Sequence, residues 1–142
     1  MMDFLPLLRE LARSYQALES FSSAHVRQFG LTPPQFDLVA TLGNQPPMTC
    51  KELGEKTLIT KGTLTGILDR LEEKGMIVRC ANSDDARSQK ISLTSAGNDL
   101  FNQVFPSHVQ YLSGAFHQLS QVETDQLTHS LKHLREAIQR TI

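Results

Sequence analysis

A chain of 142 residues that is 39% hydrophobic and 20% charged can bury a core without disulfide staples and has ordinary globular composition. No apolar run approaches the roughly 18 residues that cross a bilayer, and Met1-Met2-Asp3-Phe4 lacks a basic segment and a cleavage site, so a cytoplasmic protein with no membrane partner is expected. The net charge of −1 speaks against a polyanionic partner unless positive charge gathers locally.

The first segment predicts a long helix. Phe4, Leu8, Leu11, Tyr15, Leu18, Ser22, His25 and Phe29 alternate by four and three, a heptad-like seam. Asp3 is placed to cap it, Pro6 falls in its first turn and Gly30 ends it. Thr32 caps a short helix opened by Pro33-Pro34, with Phe36, Leu38, Val39 and Leu42 inward. A loop follows from Gly43 to Pro47.

Thr49-x-x-Glu52 is a capping box that starts a helix at Cys50, ending near Lys56 or Thr57. After a tight turn, Thr60 caps another helix that runs to Lys74 and stops at Gly75, with Leu64, Ile67, Leu68 and Leu71 as its apolar stripe. Two short helices joined by so tight a turn form a helix-turn-helix. Met76–Cys80 and Gln89–Leu93 then read as two strands around the polar Ala81–Ser88, a hairpin behind the second helix: a wing. Beyond Thr94 the chain is helical again, with Pro106 expected to kink or interrupt it. Ser120-x-x-Glu123 opens a last helix with Leu127, Leu131, Leu134 and Ile138 on one face.

The expected fold is therefore mainly α with a small β-wing, a winged helix-turn-helix flanked by N- and C-terminal dimerisation helices. Residues 1–142 form a single domain on this reading, with 1–30 and 95–142 as dimerisation helices and 31–94 as the DNA-binding unit. The terminal helices carry more apolar seam than one small domain covers, and a second copy is the expected partner.

Thr49 to Thr94 holds eight Lys and Arg against seven Asp and Glu, a bias of the right sign for DNA but a small one. Opposite the apolar stripe of the second helix lie Gly62, Thr65, Gly66, Asp69 and Glu73, flanked by Lys61, Thr63 and Arg70. Each outward glycine costs a helix about 1 kcal/mol relative to alanine. That cost has two readings: the helix lies against a major groove floor, or it packs closely against another helix. Arg87 at the hairpin tip suits a narrow minor groove, with Asp85 expected to hold its guanidinium in a bidentate pair.

The string from Gly62 to Arg79 (Gly-Thr-Leu-Thr-Gly-Ile-Leu-Asp-Arg-Leu-Glu-Glu-Lys-Gly-Met-Ile-Val-Arg), with Asp85-Ala86-Arg87 and Leu93-Thr94-x-x-Gly97, resembles the MarR family of bacterial regulators over nearly the whole chain. The resemblance implies a homodimer whose two winged units each read half of a pseudo-palindromic operator in double-stranded DNA. It also implies a repressor released by a small phenolic or lipophilic effector, or by an oxidant. DNA contacts map onto Thr60, Lys61, Gly62, Thr63, Thr65, Gly66 and Arg70, and onto Arg87 with Gln89 and Lys90 in the wing. The peroxide-sensing branch keeps a reactive cysteine in its first helix, and here no cysteine precedes position 50.

Cys50 and Cys80 lack a metal-type spacing and read as reduced thiols. Cys50 sits at a helix start, where a dipole lowers a thiol pKa, so a redox role competes with plain packing. His25, beside Phe21 and Phe29, lines an effector pocket or packs at an interface, and packing is the favoured reading. His129 and His133 share a helix face but lack a further ligand, so no metal site is expected. No cofactor or enzyme motif is present. The competing class is a winged-helix protein–protein module that never touches DNA.

Overall fold

The computed structural model describes residues 1–142. The chain divides into two compact units, Met1–His108 and Val109–Ile142.

Helix α1 spans Leu5–Val26, and Asp3 accepts the Leu5 N–H at 3.1 Å. A 3-10 turn, Arg27–Phe29, follows before the chain reverses at Gly30. Gly30 has φ of 75°, a left-handed conformation that favours glycine. The sequence pattern had run the helix straight to Gly30, because a 3-10 turn preserves most of the apolar spacing of the last α-turn. Helix α2 (Pro33–Leu42) begins at a complete Thr32/Gln35 capping box, with Leu38, Val39 and Leu42 buried and Phe36 half-buried.

Strand β1 (Met48–Thr49) is too short to show an alternation in sequence, and it precedes α3 (Cys50–Lys56) with its Thr49/Glu52 capping box. Helix α4 spans Lys61–Glu73 and ends at Gly75, whose φ is 73°. Strands β2 (Ile77–Ala81) and β3 (Gln89–Leu93) pair antiparallel with Arg79 opposite Ile91. β1 adds to the far side of β3, giving the order β1-β3-β2.

Leu38, Leu53, Leu68, Leu71, Ile77 and Ile91 form the centre of the main core, which joins four helices to the sheet. Each such side chain contributes about 1.5–3 kcal/mol by leaving water. A second cluster holds Val26, Leu31 and Val104, with Phe29, Phe36 and Leu100 against it.

Helix α5 runs unbroken over Ser95–Phe116 with Pro106 inside it. Of the kink or interruption expected there, the interruption does not occur. Phe101, Val104 and His108 on either side of the proline are buried, and that packing offsets the hydrogen bond the proline cannot donate. In the second unit, α5 closes with His117 N–H donating to Ser113 O, and α6 (Gln121–Thr141) starts at the complete Ser120/Glu123 box. No helix is long and apolar enough to cross a membrane.

Candidate nucleic-acid interface

The α3–α4 turn is held by side chains as well as by backbone. Thr57 donates its hydroxyl to Leu53 O at 2.6 Å, and Asp37 of α2 accepts the Leu58 N–H at 2.7 Å. Burial raises the Asp37 carboxyl above its ordinary range, and the Leu58 N–H partly offsets this. Ile59 is buried within the turn, so α4 leaves it in a defined direction.

At the start of α4, Thr60 occupies the N-cap position without the expected side-chain cap. Its hydroxyl meets that of Thr63 at 3.0 Å, and Thr63 in turn donates to Thr60 O. Both hydroxyl protons are used locally and neither hydroxyl caps the helix, leaving the helix N-terminus open to an outside acceptor. Lys61, Gly62, Thr63, Thr65, Gly66 and Arg70 are all exposed along this helix.

A Cβ built on Gly62 or Gly66 would meet nothing within 4 Å. Close packing within the chain therefore does not explain either glycine. Gly97 is the opposite case, since its Cβ would run into the Met76 carbonyl. Around it, Thr94 N–H donates to Met76 O at 3.0 Å, and Thr94 Oγ1 accepts the Gly97 N–H at 3.1 Å. The Leu-Thr-x-x-Gly segment thus clamps the start of α5 onto the α4–β2 turn, and with it the base of the hairpin.

The wing tip is organised by Asn82, which the sequence pattern did not single out. This buried side chain donates to Ser88 Oγ at 2.8 Å and accepts the Asp84 N–H at 3.1 Å. Asp85 does not pair with the Arg87 guanidinium as expected. Its Oδ1 accepts the Arg87 backbone N–H at 3.0 Å, because a short carboxylate reaches the amide two residues on without ordering a long side chain. Arg87 is exposed and stands outside every ion pair of the chain. Lys90 lies 3.8 Å from Asp84, and Gln89 is exposed beside it.

Away from this face, His108 of α5 is buried, with Nε2 3.0 Å from Ser22 Oγ and Nδ1 2.9 Å from His25 Nδ1. Phe36 meets the His108 ring edge-on at 4.5 Å, and Phe29 meets His25 at 5.2 Å. An open groove of about 650 Å³ runs along α1 and the start of α2, lined by Gln16, Glu19, Ser23 and Arg27 among others. Phe21, His25 and Phe29 are not in its lining. Cys50 is exposed at the first position of α3 instead of packed, and Cys80 is exposed on β2.

A helix-turn-helix followed by a β-hairpin, with β1 from before the helix pair completing a three-stranded sheet, defines a winged helix-turn-helix protein. The MarR family model matches residues 31–89. The regulator MhqR of Bacillus subtilis is 28% identical over 92% of this chain and 90% of its own. The uncharacterised HTH-type transcriptional regulator YkoM of the same organism is 31% identical over 89% of this chain and 82% of its own. A MarR variant from E. coli, solved with operator DNA, superimposes with a TM-score of 0.83 at 24% identity, covering 92% of this chain and 94% of that one. The chain belongs to the MarR family of winged helix-turn-helix transcription regulators.

Proposed function

We propose that this regulator is a homodimer that binds a pseudo-palindromic operator in double-stranded DNA. Helix α4 enters the major groove and the β2–β3 wing reaches the adjacent minor groove. Lys61, Arg70 and the open α4 N-terminus at Thr60 face phosphates. Thr63 and Thr65 offer hydroxyls and methyls to base edges across the surface that Gly62 and Gly66 keep flat. Arg87 supplies the minor-groove cation on a tip shaped by Asp85, with Gln89 and Lys90 along the backbone.

The observation that carries this reading is the pair of outward glycines with open space where a side chain would stand. Neither glycine is needed for packing within the chain, so the helix propensity lost there leaves this face open to a surface outside the chain. Exposed apolar side chains at Leu8, Tyr15 and Leu18 of α1, and at Leu127, Leu131 and Ile138 of α6, support 1–30 and 95–142 as dimerisation helices around a winged unit at 31–94.

Two recognition helices must sit about 34 Å apart to enter successive major grooves, so a small change in the dimer layer is enough to release DNA. Release by a small phenolic or lipophilic effector, or by an oxidant, as in the family this chain belongs to, would act through that sensitivity. Selection of bound sites from random duplexes tests the reading. A palindrome with half-site centres about one helical turn apart is expected. Enrichment of single-stranded sites, or of none, would sink it.

A further inference from the structure

The outward row of α4 is chemically divided. Gly62, Gly66, Asp69 and Glu73 follow one another at spacings of four, three and four, so the face that begins with glycines ends with carboxylates. Glu72 lies beside this row, within 3.9 Å of Arg79 on β2. A helix read by a polyanion should not carry three acids there, since like charges brought together weaken association.

One cation answers two of them. Arg79 of β2 places Nη2 2.8 Å from Asp69 Oδ1 and Nη1 3.9 Å from Glu72 Oε1. The guanidinium is held close to the protein, with 22% of the side chain exposed against 53% for Asp69 and 45% for Glu72. Its Nε is buried and meets no acceptor, so seating an arginine here costs a desolvated donor.

A mechanical role does not explain that cost. Both carboxylate partners remain about half exposed to water, which screens these ion pairs and keeps their contribution to stability small. The junction of α4 with the hairpin is already held by Met76 N–H on Leu71 O at 2.9 Å, by Thr94 N–H on Met76 O and by the β2–β3 pairing. What the guanidinium changes is charge.

We propose that Arg79 is a charge-masking residue: shared between Asp69 and Glu72, it offsets one of their two negative charges, so that the acidic half of the recognition helix can approach the phosphate backbone. This rests on the DNA-reading function above. Arg79 acts through the two carboxylates and need not touch DNA.

The test is fluorescence-anisotropy titration of the full chain against labelled random-sequence duplexes of about 30 base pairs, where binding is electrostatic and needs no known operator. Arg79→Gln, Arg79→Lys, Asp69→Asn/Glu72→Gln and the triple variant Arg79→Gln/Asp69→Asn/Glu72→Gln are compared with wild type, each after a circular-dichroism melt. Arg79→Gln should weaken binding about tenfold in dilute buffer, and Arg79→Lys should retain most of the affinity. The gap should narrow as salt shortens the screening length from about 10 Å at 0.1 M toward about 3 Å at 1 M.

The decisive variant is the triple, which should return to near wild-type affinity. A triple variant as weak as Arg79→Gln, or an Asp69→Asn/Glu72→Gln variant that is equally weak, would show that the contact positions the wing, and the masking role would be overturned. A wild-type chain with no salt-dependent affinity for any duplex would instead overturn the DNA-reading function itself, and this inference with it.

Discussion

Nδ1 of His25 and Nδ1 of His108 face each other at 2.9 Å between α1 and α5, so at least one of the two nitrogens carries no proton. His108 also reaches Ser22 through Nε2, and both of its ring nitrogens are engaged while the ring is nearly inaccessible to water. Burial pushes its imidazole below the ordinary histidine value of 6.5, and the neighbouring His25 adds to the push. The folded chain therefore resists a proton that the unfolded chain accepts.

Stability should fall as the pH drops below about 6.5, where the unfolded state begins to bind that proton, and the loss should continue until the folded state also titrates. Above that pH both states are neutral at this site and no dependence arises from it. His108→Gln should flatten this part of the profile. Thermal melts of wild type and variant between pH 5 and 8 check the sign, since other groups contribute equally to both proteins. Parallel profiles would show that the pair does not govern acid sensitivity.

Gly62→Ala and Gly66→Ala should separate stability from function. Both methyls enter open space, so each substitution should stabilise α4 by about 1 kcal/mol or somewhat less. DNA affinity should fall at the same time, because the methyl stands on the face proposed to meet the groove. Denaturant unfolding and duplex titration read the two effects independently. A variant more stable and equally tight in binding would remove these positions from the interface.

Gly97→Ala should behave in the opposite way. Its Cβ would meet the Met76 carbonyl, a backbone atom that cannot rotate aside. A loss of about 1–3 kcal/mol is expected from this overpacking. Urea unfolding measures it, and the wing should lose its anchorage to α5 as well.

Arg87→Ala should leave the melting temperature almost unchanged, since the guanidinium joins no ion pair in the chain and only its backbone is bonded. Duplex affinity should drop, and the slope of log K against log salt should shallow by about 1. A protein–protein module would have no such slope to lose.

What the sequence by itself determined lies within a few residues along the chain. The Thr49 and Ser120 capping boxes form as written and Thr32 caps its helix, because an N-cap side chain lies within reach of the amide three residues on. The glycine stops at 30 and 75 hold because each takes a left-handed φ that favours glycine, and the order of helix, turn, helix and hairpin holds with them. Periodicity was enough to assign these elements, and the string from Gly62 to Arg79 was specific enough to point to the family.

Only the tertiary structure decided what each distant residue was for. His108 meets His25 across 83 residues and Leu58 meets Asp37 across 21, separations for which no spacing rule exists. Strand β1 is two residues long and is a strand only because β3 pairs with it. Gly62 and Gly97 look alike in sequence, yet one faces empty space and the other a carbonyl. Hydrogen-bond reach encodes the local pattern, whereas the free volume around a residue is set by whichever elements the fold brings beside it.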